Sequence, residues 1–228
     1  MSKHPFFILF HGRSGSTHLV SMLDCHPDIS CEHEIFHLSA DIPEPAHVLA
    51  DLYKRPFVAS GFKYKYPYQV EVHPGAWSYL LERRDTIRVI GLTRKNLLKI
   101  AISRQNLIKM ARAYGKHNIT KGDEKADKLE VDTSILIEYM EHVAVNIKGI
   151  TEVLDWFDNT ITIHYEDILY SERQTTKQIL DFLEVDDLDL QSGFKKFTPD
   201  GLRDAIANYE DVEKVLKGTK FERFLSGE

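Results

Sequence analysis

The chain has 228 residues, of which 43% are hydrophobic and 28% are charged, and this length and composition fit one α/β domain with a full core. The formal net charge of −6 argues against wholesale binding to nucleic acid or to an anionic membrane, so any basic site must be local. Cys25 and Cys31 form no metal-ligand spacing and no disulfide framework. No segment approaches the roughly 20 apolar residues of a membrane span, and the N-terminus lacks a signal-peptide pattern. We therefore expect one cytoplasmic domain over residues 1–228, without a metal.

The first apolar segment is followed by a short loop rich in glycine and serine. Residues 6–10 are five apolar residues in a row, which is typical of a strand buried on both faces. The run from His18 to Leu23 then supplies the apolar side of a helix. A strand, a loop of small residues and a helix N-terminus together form an anion site, because backbone N–H groups and the helix dipole favour negative charge there. The residues that we expect to hold the anion are Gly12, Arg13, Ser14, Gly15, Ser16 and Thr17.

This loop is similar to a P-loop but lacks the lysine of the nucleotide triphosphatases. Their motif is Gly-x-x-x-x-Gly-Lys-Ser/Thr, and aligning Gly15 with its second glycine puts Ser16 where the lysine belongs. Arg13 supplies positive charge inside the loop instead. The pattern favours a phosphate site that does not hold a triphosphate, and the alternative is an ordinary turn between a strand and a helix.

The rest of the chain alternates strand and helix patterns. Strand patterns lie at 29–32, within 57–66, at 86–92 and at 160–165, and helix patterns lie at 46–53, 75–84, 97–114, 134–157 and 172–183. Two or three short helical pieces follow in the tail. This alternation predicts a three-layer α/β/α fold with a parallel sheet and a P-loop-like loop. The polar run 115–128 lacks periodicity and is a candidate for a mobile loop or lid.

A second cationic group stands at the end of a later strand. In a P-loop triphosphatase this strand should end in an aspartate that helps to hold Mg²⁺, but here it ends in Thr93-Arg94. Arg94 would repel a metal and attract a second anion, and the hydroxyl of Ser103 on the following helix could reach the same anion. Two anion sites without a metal carboxylate fit a nucleotide with phosphates at both ends of its ribose. The alternative is that Arg94 pairs with a carboxylate and Ser103 is polar helix surface.

These motifs resemble those of sulfotransferases that use 3′-phosphoadenosine-5′-phosphosulfate (PAPS). Residues 13–17 resemble the 5′-phosphosulfate loop, and Arg94 with Ser103 resembles the 3′-phosphate motif. The family has a sequence signature that follows a late strand, and Tyr165-Glu166-Asp167-Ile168 resembles it. The stretch 208–219 is similar to the C-termini of family members. The resemblance is nearest the bacterial carbohydrate branch, the trehalose and nodulation-factor enzymes. The gap between Arg94 and Ser103 is one residue longer than the corresponding gap in the cytosolic branch of the family.

The resemblance implies PAPS as the donor, PAP as the product and a carbohydrate or small-molecule hydroxyl as the acceptor. It implies that Glu34, which precedes Ile35-Phe36, is the base, and that Lys63 steadies the leaving bridge oxygen. Arg13 and the N–H groups of residues 14–17 would offset charge on the moving sulfuryl group. Glu32 and His33 are the alternative bases, since imidazole titrates near neutrality. The residues that we expect at the acceptor are Glu32, His33, Tyr66 and Gln69.

Two other function classes stay open at this point. The hypothesis of a small-molecule kinase is weakened by Ser16 at the lysine position and by Arg94 in place of an acidic residue at the strand end. A non-catalytic nucleotide-binding module would bind its ligand without turnover. Related carbohydrate enzymes can be dimers, so a homodimer is also open.

Overall fold

The computed structural model describes residues 3–36, 42, 44–114, 128–190 and 201–226 of the chain. The chain forms two compact units, of which the first comprises Met1–Arg94 with Asn146–Phe194 and the second comprises Lys95–Val145 with Lys195–Glu228. The prediction of one domain over 1–228 stays a prediction. The run 115–128 lies outside the described residues except for its last residue.

The first unit holds the strands and the helices that flank them. Its strands are His4–Phe10 (β1), Ile29–Glu32 (β2), Ala59–Lys65 (β3), Arg88–Thr93 (β4) and Asn159–His164 (β5). Its helices are Ser16–Leu23 (α1), Pro45–Tyr53 (α2), Tyr68–Val72 (α3), Pro74–Leu81 (α4), Tyr165–Tyr170 (α7) and Glu172–Leu183 (α8). The helix Leu136–Leu154 (α6) begins in the second unit and ends in the first.

The strands form one parallel sheet in the order β2-β3-β1-β4-β5. The first strand is central, which explains why its sequence is apolar on both faces: residues 6–10 are all buried. In a parallel sheet the carboxyl ends of the strands meet at one edge, and ligands of open α/β sheets bind there. The loops after β1, β2, β3, β4 and β5 are therefore neighbours by topology.

Each face of the sheet carries its own apolar cluster. Phe6, Ile8 and Phe10 pack in a cluster with residues of α1 and α8. Phe7 and Leu9 pack in a second cluster with residues of α2, α4 and the C-terminal part of α6. The predicted three-layer α/β/α architecture with a parallel sheet is confirmed, because alternate residues of one strand face helices on opposite sides.

The second unit consists of helices and the segments that join them. Its elements are Leu97–Tyr114 (α5), Leu202–Ala205 (α9), Tyr209–Leu216 (α10) and a 3₁₀ helix, Glu222–Ser226. The Asn96 amide donates to the carbonyl oxygen of Phe224 at 3.1 Å. The Asn208 side chain accepts from the Val131 N–H at 2.8 Å and donates to the Val131 carbonyl at 2.9 Å. These side-chain amides join segments that are distant in sequence.

Two short helices of the first unit have no counterpart in the sequence prediction. The helix α3 follows β3 directly, and α7 begins at Tyr165, which the strand pattern 160–165 includes. Asp167 accepts a hydrogen bond from the His164 N–H at 3.3 Å in a reciprocal cap of α7. Helices of five and six residues are too short to show a periodicity, so only the tertiary structure defines them.

Candidate active site

The loop between β1 and α1 has the backbone of an anion site. Arg13 has φ 70° and Gly15 has φ 84°, so both lie in the left-handed region. The Ser14 N–H donates to the His11 carbonyl at 3.3 Å and closes the turn. Gly15 stands at the N-cap of α1 and carries no side chain over the first turn of the helix. The positive end of the helix dipole favours an anion at this end of the helix.

Ser14 adds an unsatisfied hydroxyl to this loop. Its side chain is fully buried, and its Oγ has no hydrogen-bond partner among the described residues. A buried hydroxyl without a partner costs about 1–3 kcal/mol, so such groups are rare in folded proteins. A bound oxyanion would satisfy it.

Lys63 connects the start of α1 with the loop that follows β2. It is only 6% exposed, and its Nζ donates to Thr17 Oγ1 at 3.2 Å and lies 3.4 Å from Glu34 Oε1. Burial lowers the pKa of Lys63, the Glu34 carboxylate raises it, and the nearby Lys65 lowers it. One ammonium group thus contacts both the predicted donor loop and the predicted base.

Gln69 on α3 hydrogen-bonds to the end of β3 and to the loop that follows β2. Its Oε1 accepts from the Lys65 backbone N–H at 2.6 Å, and its Nε2 donates to the Phe36 carbonyl at 2.7 Å. The same Nε2 lies 3.4 Å from Glu34 Oε2. Gln69 is buried, and its contacts hold Glu34 against the end of β3. Its predicted role in acceptor binding stays a prediction.

The three predicted candidates for the base have different surroundings. Glu34 contacts Lys63, whereas Glu32 forms an ion pair with Arg55, which also donates to Ser30 Oγ at 3.0 Å. His33 between them is exposed. Glu32 and Arg55 line a cavity of about 330 Å³, together with Ile35, Val48, Asp51 and Leu52.

Arg94 lies at the end of β4 and stacks on Tyr165. Its Cζ is 4.9 Å from the centre of the Tyr165 ring, and its Nε is 3.8 Å from Glu166 Oε1. The side chain is 11% exposed, and Nε has no hydrogen-bond partner within the described part of the chain. Burial lowers the pKa of Arg94, and the neighbouring Tyr165 and Glu166 raise it.

Tyr165 also contacts the β1–α1 loop. A Cβ placed on Gly15 would lie 2.2 Å from Cδ2 of Tyr165, so the ring occupies the space that any side chain at position 15 would need. Burial raises the pKa of Tyr165, and the charges of Arg94 and Arg13 lower it. The two predicted anion-binding arginines therefore have one tyrosine as a shared neighbour.

Of the remaining predicted site residues, Tyr66 packs on a helix and Ser103 belongs to the second unit. A Cβ on Gly149 would lie 2.5 Å from the Tyr66 hydroxyl oxygen, so Tyr66 packs against the backbone of α6. Ser103 is half-buried on α5 in the second unit. Their roles at the acceptor and at the 3′-phosphate stay predictions.

The described residues contain neither a candidate metal site nor a candidate membrane span. No group of three or more histidine, cysteine, aspartate or glutamate residues comes together there in an arrangement suited to a metal ion. No helix in that part of the chain has the length and apolar character needed to cross a membrane.

Comparison with known proteins identifies the family that this site resembles. Residues 5–74, which include β1, the loop, Glu34, Lys63 and Gln69, match the model of the sulfotransferase family. A search of curated protein sequences found no significant match. The family match confirms the predicted resemblance to sulfotransferases and the predicted enzyme class, whereas nearness to the carbohydrate branch stays a prediction.

Solved structures show the same fold at low sequence identity. A sulfotransferase from Alicyclobacillus acidocaldarius aligns with a TM-score of 0.57 and 16% identity, over 100% of this chain and 94% of that one. The mouse sulfotransferase SULT7A1, complexed with PAP, aligns with a TM-score of 0.52 and 16% identity, over 83% and 62% of the two chains. The sulfotransferase domain of the curacin biosynthetic pathway aligns with a TM-score of 0.50 and 16% identity, over 80% and 74%.

Proposed function

We propose that the protein transfers a sulfuryl group from PAPS to a hydroxyl of a carbohydrate or another small molecule. The observation that carries the proposal is the position of Lys63, whose ammonium contacts Thr17 at the start of α1 and Glu34 after β2. A donor loop, a cation and a carboxylate are the parts that sulfuryl transfer needs, and one side chain joins them. The match of residues 5–74 to the sulfotransferase family supports the same reaction.

The donor would bind between the two arginines that border Tyr165. The β1–α1 loop, with the buried Ser14 hydroxyl, would hold the 5′-phosphosulfate through backbone N–H groups and Arg13. Arg94 would hold the 3′-phosphate, since its buried Nε has no hydrogen-bond partner among the described residues. A guanidinium group binds phosphate oxygens through several N–H donors. The PAP reported in the mouse relative is consistent with this donor.

In the reaction the acceptor oxygen forms a bond to sulfur while the bond from sulfur to the bridging oxygen breaks. The electron pair of the broken bond leaves with the 5′-phosphate of PAP, and the acceptor hydroxyl proton passes to the Glu34 carboxylate. Lys63 offsets the charge that develops on the departing oxygen, and the loop N–H groups offset the charge on the sulfuryl oxygens. Holding both reactants in line supplies a further part of the rate.

Glu34 is the base that the contacts favour over Glu32 and His33. It is partly exposed, so an acceptor can approach it, and Gln69 and Lys63 fix its two oxygens. Glu32 is engaged by Arg55 and borders the cavity of about 330 Å³, where it could bind hydroxyl groups of a carbohydrate. A carbohydrate acceptor, a cytoplasmic location and a homodimer stay predictions.

The test measures donor binding and turnover in the same set of variants. We expect PAP to raise the melting temperature strongly and ATP with Mg²⁺ to do so weakly, and we expect sulfuryl transfer from labelled PAPS to at least one carbohydrate in a panel. Glu34→Gln should retain PAP binding, because a glutamine oxygen can still accept from Lys63, but should lower kcat about 100-fold or more. The matched control is Glu152→Gln, since Glu152 is exposed on α6 and pairs only with Lys148 among the described contacts.

Three results would contradict the proposal at different levels. Stabilisation by ATP with Mg²⁺ but not by PAP would favour a kinase. PAP binding without transfer to any acceptor would favour a non-catalytic module. Transfer that persists in Glu34→Gln at the rate of Glu152→Gln would remove Glu34 as the base but leave the activity in place.

A further inference from the structure

We propose that Lys65 is a further donor-binding residue, whose ammonium group binds the oxyanion held at the β1–α1 loop. The inference rests on the proposed function only in naming this oxyanion as the 5′ side of PAPS. Lys63 on the same strand is a predicted site residue, whereas Lys65 is not.

The geometry places Lys65 directly against the loop. Its Cε lies 3.3 Å, and its Nζ 3.6 Å, from the position that a Cβ on Gly12 would take. The lysine side chain therefore covers the Gly12 backbone at the start of the loop. Lys63 contacts Thr17 at the other end of the same loop. The two ammonium groups thus flank the segment from Gly12 to Thr17.

The strand register explains why both lysines reach the loop. In the pairing of β1 with β3, Lys63 is the partner of Ile8 and Lys65 is the partner of Phe10. Side chains two positions apart point to the same face of a sheet, so both lysines lie on the face that α1 covers. The Lys63 Nζ lies 5.5 Å from the centre of the Phe10 ring, at the carboxyl end of β1.

The balance of charge favours an anion between the lysines. Lys63 has Glu34 as its ion-pair partner, whereas Lys65 has no ion pair among the described contacts. The charge of Lys65 lowers the pKa of Lys63, because a nearby like charge disfavours the protonated form. An oxyanion in the loop would be attracted by both groups and would offset this repulsion.

The backbone of Lys65 is held in place independently of any ligand. Its N–H donates to Gln69 Oε1 at 2.6 Å, and Gln69 is buried and bonded to the Phe36 carbonyl. The side chain therefore starts from a fixed point at the end of β3. A positioned ammonium loses less conformational freedom when it binds an oxyanion.

The test compares ligands that carry a phosphate at one or at both ends of the ribose. Titration calorimetry with PAP and with adenosine 3′-monophosphate would be performed on the native protein, Lys65→Met, Lys65→Arg and the control Lys148→Met. Methionine keeps an unbranched apolar stem over Gly12 but removes the charge. We expect Lys65→Met to weaken PAP binding about tenfold or more while leaving adenosine 3′-monophosphate within about twofold of native. Lys65→Arg should restore most of the PAP affinity, and Lys148→Met should leave both affinities unchanged.

The outcomes separate the role of Lys65 from the proposed function. Equal losses for both ligands, or no loss for PAP in Lys65→Met, would overturn the inference. If the native protein does not bind PAP, the proposed function fails, and inorganic sulfate becomes the probe. A sulfate-dependent rise in melting temperature that disappears in Lys65→Met but not in Lys148→Met would still support the inference, whereas an equal rise in both variants would overturn it.

Discussion

Replacing Gly15 with alanine should damage the donor loop through two separable effects. The first is backbone strain, because φ at Gly15 is 84° and an L-residue in the left-handed region costs about 1–2 kcal/mol. The second is a steric conflict, because the new Cβ would lie 2.2 Å from Cδ2 and 2.5 Å from Cε2 of Tyr165. Relieving that overlap must move the ring or the loop, and overpacking of this kind costs typically about 1–3 kcal/mol.

Gly218 provides a matched control for the first effect alone. Its φ is 74°, and a Cβ placed there would meet nothing within 4 Å. Gly218→Ala should therefore carry only the cost of the backbone strain. The lower entropy of the unfolded chain, which any glycine-to-alanine change brings, offsets part of that cost. For a chain of this size 1 kcal/mol corresponds to about 2–4 °C in melting temperature. We expect Gly218→Ala to melt up to about 6 °C below the native protein and Gly15→Ala to melt several degrees lower still.

The assay is thermal unfolding with and without PAP. PAP should stabilise Gly15→Ala much less than the native protein, because the displaced Tyr165 ring packs against Arg94. Gly218→Ala should keep the full stabilisation by PAP. Gly15→Ala should cost less stability in a Tyr165→Ala background than in the native protein, because the ring that the new Cβ meets is then absent. Equal losses in the two single glycine variants, or an equal cost of Gly15→Ala in both backgrounds, would refute the described packing of Tyr165 on Gly15.

Three further predictions concern the side chains around the loop. The free energy of unfolding of the native protein should rise relative to that of Lys63→Met as pH increases towards 10.5, the ordinary pKa of lysine, because burial lowers the pKa of Lys63 and the unfolded chain there holds a proton that the folded chain has lost. Urea titrations of both proteins measure this difference, in which the opposite effect of Cys31 and the buried tyrosines, whose pKa values are raised, cancels. Tyr165→Leu should weaken PAP binding about two- to tenfold in calorimetry by removing the ring under Arg94, and an equal loss in the exposed control Tyr170→Leu would contradict this. Arg55→Met should raise the acceptor KM while leaving PAP affinity unchanged, and a fall in PAP affinity would place Arg55 at the donor instead.

The sequence predicts the first strand, its loop and the first helix closely, because each depends on local chemistry. Five apolar residues can only be a strand buried on both faces or a short helical segment, and the glycines that follow favour the strand. Gly15 stands where the left-handed conformation is needed, and the helix predicted from the apolar run 18–23 begins directly after it, at Ser16. Glu34 and Lys63, identified only through the family resemblance, are also brought together by the fold.

The contacts that the sequence does not reveal are those between distant segments. Tyr165 lies 150 positions after Gly15 in the chain, and only the pairing of β4 with β5 and the order of the sheet bring it to the loop. Arg55 reaches Glu32 from the end of α2 in the same way. Lys65 has a local signal that could have been used, since it lies two positions after Lys63 on one strand and must share its face.

The position of Lys63 explains how one buried charge can serve both reactants. Burying an ammonium group is costly unless each of its N–H donors finds an acceptor. An ammonium has three such donors, and the described acceptors are Thr17 Oγ1 and Glu34 Oε1. One donor direction is therefore left for an oxygen of the ligand in the β1–α1 loop. In the proposed reaction this group would complete its hydrogen bonds on the donor and would also fix the carboxylate that takes the acceptor proton. Donor binding and placement of the base would then be linked through a single side chain.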